Sequence, residues 1–343
     1  MAKTRYTPTK SGYSINGSAE LFNRTLYGSH QNDDKSAKFC TFAGDAPQFM
    51  GATTDFEENL VSFYAKCGTL TSGLALTPGQ RVEFFYSEDM DISSRWFHNS
   101  EDVGAEFKNG WMEYNLTQMS PWFPDVRVHI ETYPLLPDDG FLVRYKITTD
   151  QRVIFVAGFG GITDYIGRFE YKDEKKRYFH ASDCVNNTVE LGKNRACVRH
   201  VNGCSMRIAT SFDADFKTGS AQELEKQYPS TFLSSSPVNP DDNAVKISAV
   251  IEPGKTLDGY ILVLRNADEK TLNSWLKMPD PIRYIKRQIY AKFACIGLQT
   301  PDNELDLTIA PTVIALDSSW HTNSFHHGAF GYHSPFLGWR NWY

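Results

Sequence analysis

Trp320, His321, Asn323, His326, His327, Tyr332, His333, Trp339 and Arg340 all fall in the last 26 residues of the chain, Ser318 to Tyr343. That segment, SSWHTNSFHHGAFGYHSPFLGWRNWY, holds eight Phe, Trp or Tyr, four of the nine histidines, one arginine and no carboxylate. Sugars present apolar C–H faces bordered by hydroxyls. Aromatic platforms beside imidazole, amide and guanidinium donors are their natural complement. Trp320, Tyr332, Trp339 and Trp342 are candidate platforms; His321, Asn323, His326, His327, His333 and Arg340 are candidate hydrogen-bonding groups. The competing explanation is that the same rings pack a seam between two domains. Gly328, Gly331 and Gly338 predict a tightly folded loop, and such loops on rigid scaffolds carry sites. Trp96, inside the polar stretch SSRWFHNSED, is expected on a loop reaching toward the same sugar.

Glycoside hydrolysis calls for two carboxylates flanking the scissile bond, one to protonate the leaving oxygen and one to attack or to activate water. The tail offers none after Asp317, which ends a predicted helix and is better explained by capping or ion pairing. Asp164 and Glu170 have surface charge as their default explanation. A hydrolytic pair is therefore expected downstream, and the chain by itself is expected to be catalytically incomplete. The histidine spacing H-x4-H-H-x5-H fits no helical zinc pair and lacks a carboxylate or cysteine ligand, so no metal or other cofactor is expected. Ser318 and Ser319 with His321 lack the strained G-x-S-x-G turn of a serine nucleophile. Gly158, Gly160 and Gly161 lack the basic residue and following helix of a phosphate loop and are expected in a strand turn.

The elements that must position these groups change character along the chain. Up to about Asp268, short runs rich in β-branched and aromatic residues follow one another. They are 59–65, 81–86, 111–116, 126–133, 141–147, 152–157, 245–251 and 259–264, many alternating with period two. Turn signals separate them at Pro78, Pro137, Asn239 and Glu252. Without intervening helices, this pattern predicts packed antiparallel sheets. After Asn266 the pattern becomes helical. Asp280 is a predicted cap with Pro281 at the first helical position, and Ile282, Ile285, Ile289 and Phe293 share one face. A further helix is predicted with Thr300 as its N-cap, acidic residues Asp302, Glu304 and Asp306 near its start, and an apolar stripe of Leu305, Ile309, Thr312, Val313 and Leu316.

Composition narrows the function classes. A formal charge of −6 over 343 residues, with no basic stripe, argues against nucleic acid as a partner. The N-terminus lacks an apolar signal region, and no stretch reaches the roughly 18 apolar residues of a membrane span. The expected location is thus cytoplasmic as written, or periplasmic if a leader is missing, with no membrane partner. Six cysteines without C-x-x-C spacing predict free, mostly buried thiols.

Several stretches resemble the proteins of domain-of-unknown-function family 4450, which are encoded in bacterial polysaccharide-degradation loci. They are RYTPTKSGYSINGSAELFNRTLYGS from Arg5, FAGDAPQF from Phe42, FVAGFGGI from Phe155, HASDCVNN from His180, and the block from Thr300 to Tyr343. The segment ITDYIGRFEYKDEKKRYF after the second of the paired glycines departs from the glycine- and arginine-rich loop expected there. The resemblance implies a mainly β fold: a large antiparallel β-supersandwich (1–268), a helical linker (269–298), and the first helix of an (α/α)6 toroid (299–343) whose remainder lies beyond this chain. It also implies a glycoside-hydrolase-like role on a complex polysaccharide, with carbohydrate and the rest of the helical domain as partners. A non-catalytic carbohydrate-binding or accessory protein is the alternative, and a purely structural domain the third.

Overall fold

The computed structural model describes residues 6–9, 12–15, 67–76, 94–97, 100, 102–108, 110–119, 123–135, 138, 140–162, 181–224, 226, 228–293, 299–302, 305, 306, 309, 320, 321, 324 and 325. In chain order the strands are β1 (Tyr6–Thr9), β2 (Gly12–Ile15), β3 (Cys67–Leu76), β4 (Ser94–Trp96), β5 (Asp102–Phe107), β6 (Met112–Gln118), β7 (Arg127–Pro134), β8 (Gly140–Thr148) and β9 (Val153–Ile162). They continue with β10 (Asn187–Gly192), β11 (Arg195–His200), β12 (Ser205–Thr210), β13 (Asp215–Ser220), β14 (Asn243–Ile251), β15 (Thr256–Arg265), β16 (Trp320–His321) and β17 (Ser324–Phe325). The helices are α1 (Ala221–Leu224), α2 (Pro229–Ser234), α3 (Glu269–Lys277) and α4 (Pro281–Phe293).

The strands form a 10-stranded sheet in the order β1-β2-β5-β6-β7-β8-β15-β12-β11-β10 and a 5-stranded sheet in the order β13-β14-β9-β3-β4, every pairing antiparallel. Period-two alternation decides what each face does. Phe141, Val143, Tyr145 and Ile147 of β8 meet Leu74, Phe155, Phe159, Val245 and Ile247 of the smaller sheet in the main core between the sheets. Leu142 of the same strand points the other way, into a second core shared with Leu272 and Trp275 of α3 and Ile285 and Ile289 of α4. A third core lies on the outer face of the smaller sheet, where Phe232 of α2 and Leu224 of α1 cover Val156 and Ala244. The chain is thus mainly β, a large antiparallel sandwich clad by helices on both outer faces, and its helical linker closes the face of the larger sheet.

The predicted strands at 111–116, 126–133, 141–147, 152–157, 245–251 and 259–264 coincide with β6, β7, β8, β9, β14 and β15, whereas 59–65 and 81–86 lie outside the described residues. Pro137 itself lies outside the described residues; Leu135 N–H donates to Gly140 O at 3.0 Å between β7 and β8. At the Glu252 turn, Lys255 N–H reaches Glu252 O at 3.0 Å, and Gly254 takes a φ of 69° that side chains disfavour. Asp280 caps α4 as expected, its Oδ1 accepting from Arg283 N–H at 2.9 Å.

Two local expectations are corrected. Thr300 does not cap the next helix: Asp302 Oδ1 accepts from Leu305 N–H at 3.3 Å, and Asp306 reaches back to Thr300 N–H at 2.9 Å. The Thr300 hydroxyl is used just ahead of that turn, its Oγ1 accepting from Asp302 N–H at 3.1 Å, and the Asp302 carboxylate takes the cap. Gly158, Gly160 and Gly161 are not a turn but lie within β9. A Cβ on Gly158 would sit 2.2 Å from Leu224 Cδ1 and 2.9 Å from Phe232 Cε1; the missing side chain is what lets α1 and α2 close on the strand.

Candidate functional site

The outer face of the larger sheet carries the described polar chemistry. On β7, Val128 and Ile130 enter the main core, so His129, Glu131 and Tyr133 must point outward. Antiparallel register then places Glu113, Glu131, Arg144 and Tyr260 abreast on β6, β7, β8 and β15. Asn115, His129, Lys146 and Asp258 form the adjacent row.

Glu131 is the hub of this face. Its side chain is 7% exposed, with Arg144 Nη1 at 3.0 Å, Lys286 Nζ at 3.6 Å and His129 Nε2 at 3.9 Å. Burial pushes the carboxyl up. The opposing pull of His129, the Lys286 charge, the Tyr133 hydroxyl and Arg144 is larger, and the net value falls to about 2. Glu131 is therefore ionised throughout the neutral range and cannot serve as a general acid. Arg144 spends the rest of its guanidinium on Asp258, Nε to Oδ1 and Nη2 to Oδ2, both at 3.0 Å. This Asp258 fork, together with Glu131, holds the Arg144 pKa above its usual value against the cost of burial. Lys286 also lies over the Trp111 ring at 4.7 Å and near Tyr133 at 5.4 Å. Trp111 stacks on Tyr133 and meets Tyr290 edge-on, both at 5.9 Å, and donates through Nε1 to Glu113 Oε1 at 2.9 Å. Burial and Glu131 raise the Tyr133 phenol.

Beside this hub, between β8, β15 and α4, runs a groove of about 700 Å³. Arg144, Asp258, Gly259 and Tyr260 form its floor, Arg283, Lys286, Arg287 and Tyr290 its helical wall, and Ser211 with residues 279–282 its rim. Tyr260 is clamped through its backbone: its N–H donates to Ser211 Oγ at 2.8 Å and its carbonyl accepts from Ser211 N–H at 3.0 Å. Gly259 permits that approach, since a Cβ there would lie 2.7 Å from Phe212 Cδ1 and 2.9 Å from Ser211 Oγ.

Of the residues singled out in the sequence, Trp320 and His321 form β16, paired with β17 through Trp320 opposite Phe325 and His321 opposite Ser324. Asn323, His326, His327, Tyr332, His333, Trp339 and Arg340 lie outside the described residues, as do Asp164, Glu170 and Asp317. Trp96 is corrected. It is the last residue of β4, 1% exposed, its Nε1 donating to Lys226 O at 3.0 Å and its ring 6.4 Å from that of Phe232. Ser94, a polar neighbour in the same strand, is satisfied internally: its Oγ donates to Ser230 Oγ at 2.9 Å and accepts from Ser230 N–H at 3.2 Å. Phe97, Trp111 and Phe123 are buried. Cys184, Cys197 and Cys204 are free thiols, the first two buried. Among the described residues there is no cluster of metal-ligating side chains and no helix long and apolar enough to cross a membrane.

Sequence inspection passed over the Glu131 hub and the groove. A signal existed: VRVHIETY and FLVRYKI put His129, Glu131 and Arg144 in the outward phase of two strands joined by one short hairpin. What was missing was Lys286, which reaches that face only because α4 folds back over it.

No protein-family model matches the chain, and no curated protein matches it. Solved structures do. One described as "Putative kojibiose phosphorylase from human microbiome" shares 10% identity with a TM-score of 0.52, covering 94% of this chain and 43% of that one. A bacterial glucoamylase complexed with acarbose shares 8% identity over 77% of this chain and 39% of its own, with a TM-score of 0.42. The heparan sulfate lyase HepC from Pedobacter heparinus shares 10% identity over 50% of this chain and 21% of its own, with a TM-score of 0.26. Only the first similarity is strong enough to show a shared fold, and the chain spans 43% of the length of that protein.

Proposed function

We propose that this chain is the sandwich and linker portion of a carbohydrate-active protein, a glycoside hydrolase acting on a complex polysaccharide. The observation that carries this reading is the fold shared across 94% of the chain with a protein described as a kojibiose phosphorylase. We divide the chain, on the sequence pattern, into a supersandwich over 1–268, a linker over 269–298 and the start of an (α/α)6 ring over 299–343. The acid and base carboxylates are assigned to that ring. The place beside family 4450 rests on the sequence blocks alone.

In this reading Trp320, Tyr332 and Trp339 are platforms, and His321, Asn323, His326, His327, His333 and Arg340 supply hydrogen bonds along the sugar. Trp96 is withdrawn from that set. Screening the chain on a glycan array, followed by titration of the best oligosaccharide, tests the proposal. Replacing Trp320 and Trp339 by alanine should weaken binding at least about tenfold, since each aromatic–sugar contact resembles a buried stacking contact in strength. An array without hits, or binding indifferent to both tryptophans, overturns it.

A further inference from the structure

The wall of the groove between β8, β15 and α4 has an unusual charge balance. The two carboxylates that line it, and Glu131 behind its floor, are committed. Asp258 is held by the Arg144 fork, Asp280 caps α4, and Glu131 behind the floor is paired with Arg144 and Lys286. Arg283 and Arg287 are one helical turn apart on α4, exposed, both on the groove, and without an ion-pair partner among the described residues. Two like charges at this spacing repel and are mildly destabilising, so the fold gains nothing from them in the absence of an anion. Beside them Tyr290 is 52% exposed although its ring edge rests on Trp111, and Tyr260 is fixed on the floor by the Ser211 clamp.

We propose that this groove is a binding site for an acidic saccharide. Arg283 and Arg287 receive the carboxylate or sulfate oxygens, and the Tyr260 and Tyr290 rings carry the apolar faces of the sugar. The proposal deepens the carbohydrate reading and rests on it. Guanidinium forks match planar oxyanions in pairs of hydrogen bonds, and a tyrosine offers an apolar body with a polar tip. About 700 Å³ is room for a short oligosaccharide rather than for a lone ion. Lys286 adds to the positive field without leaving Glu131. The site is separate in sequence from the tail residues and marks the substrate as negatively charged.

Isothermal titration of the chain with tetragalacturonate, maltotetraose and sodium sulfate separates the possibilities. We expect tetragalacturonate to bind at least about tenfold more tightly than maltotetraose. Raising the salt tenfold should weaken it, as should R283A/R287A, while K193A/K270A, on exposed residues elsewhere, should leave it unchanged. Both arginines are solvent-facing, so the double variant should keep the wild-type urea midpoint. Equal binding of the two oligosaccharides, or acidic-sugar binding unaffected by R283A/R287A, overturns the acidic-groove proposal and leaves the carbohydrate reading standing. Sulfate binding as tight as tetragalacturonate at the same arginines also overturns it, in favour of a free-oxyanion site. Failure of both oligosaccharides to bind, together with a glycan array without hits, removes the carbohydrate reading as well.

Discussion

Replacing Glu131 by glutamine removes a negative charge that ties the larger sheet to Lys286 of α4. A carboxylate whose pKa falls from 4.5 in the unfolded chain to about 2 in the folded one contributes about 3 kcal/mol at neutral pH. A second route gives a similar size. Breaking a fully buried ion pair by deleting one partner costs about 3–5 kcal/mol. Here Arg144 and Lys286 keep 32% and 30% of their side-chain surface in water, so part of that cost is recovered by hydration. The expected loss for Glu131→Gln at pH 7 is about 2–3 kcal/mol. With a urea slope of roughly 3 kcal/mol/M for a chain of this size, the unfolding midpoint should fall by about 0.7–1 M. The acid limb is the sharper test. Because the folded-state pKa lies below the unfolded one, the stabilisation is complete above the unfolded value of 4.5 and is lost as the pH falls toward 2. The difference between wild type and variant should therefore shrink to less than half by about pH 3. Urea titrations of both proteins at pH 7, 5 and 3 provide the readout. Coincident midpoints at pH 7, or a difference that does not change with pH, would refute the assignment of Glu131 as an ionised hub.

Trp96→Ala should lower stability by about 3–5 kcal/mol, as expected for a fully buried aromatic, and leave glycan affinity unchanged. A large affinity loss in protein that still unfolds at the wild-type urea concentration would restore Trp96 to the sugar site. Gly158→Ala should cost about 1–3 kcal/mol, because the added methyl meets Leu224 and Phe232. Combined with Leu224→Ala, the two losses should add to less than their sum, since the smaller side chain vacates the space the methyl needs. Full additivity in urea unfolding would mean that the contact is not the cause.

Alternation and turn chemistry in the sequence were enough to specify β6 through β9, β14 and β15, the Glu252 turn, and the Asp280–Pro281 start of α4. Each depends on residues close together along the chain. A strand's buried face follows from its own period, and a cap from a side chain within three residues of the N–H it receives. The same reasoning misplaced Trp96 and the β9 glycines. Their surroundings are set by α1 and α2, with Lys226 and Ser230 arriving from more than a hundred residues away to cover β4. Only the tertiary fold decided that Glu131, Arg144, Asp258 and Lys286 form one charged network beside a groove. Local sequence dictates which way a side chain faces. What it meets there, and hence whether its charge is held, neutralised or left for a ligand, depends on packing between elements distant in the chain.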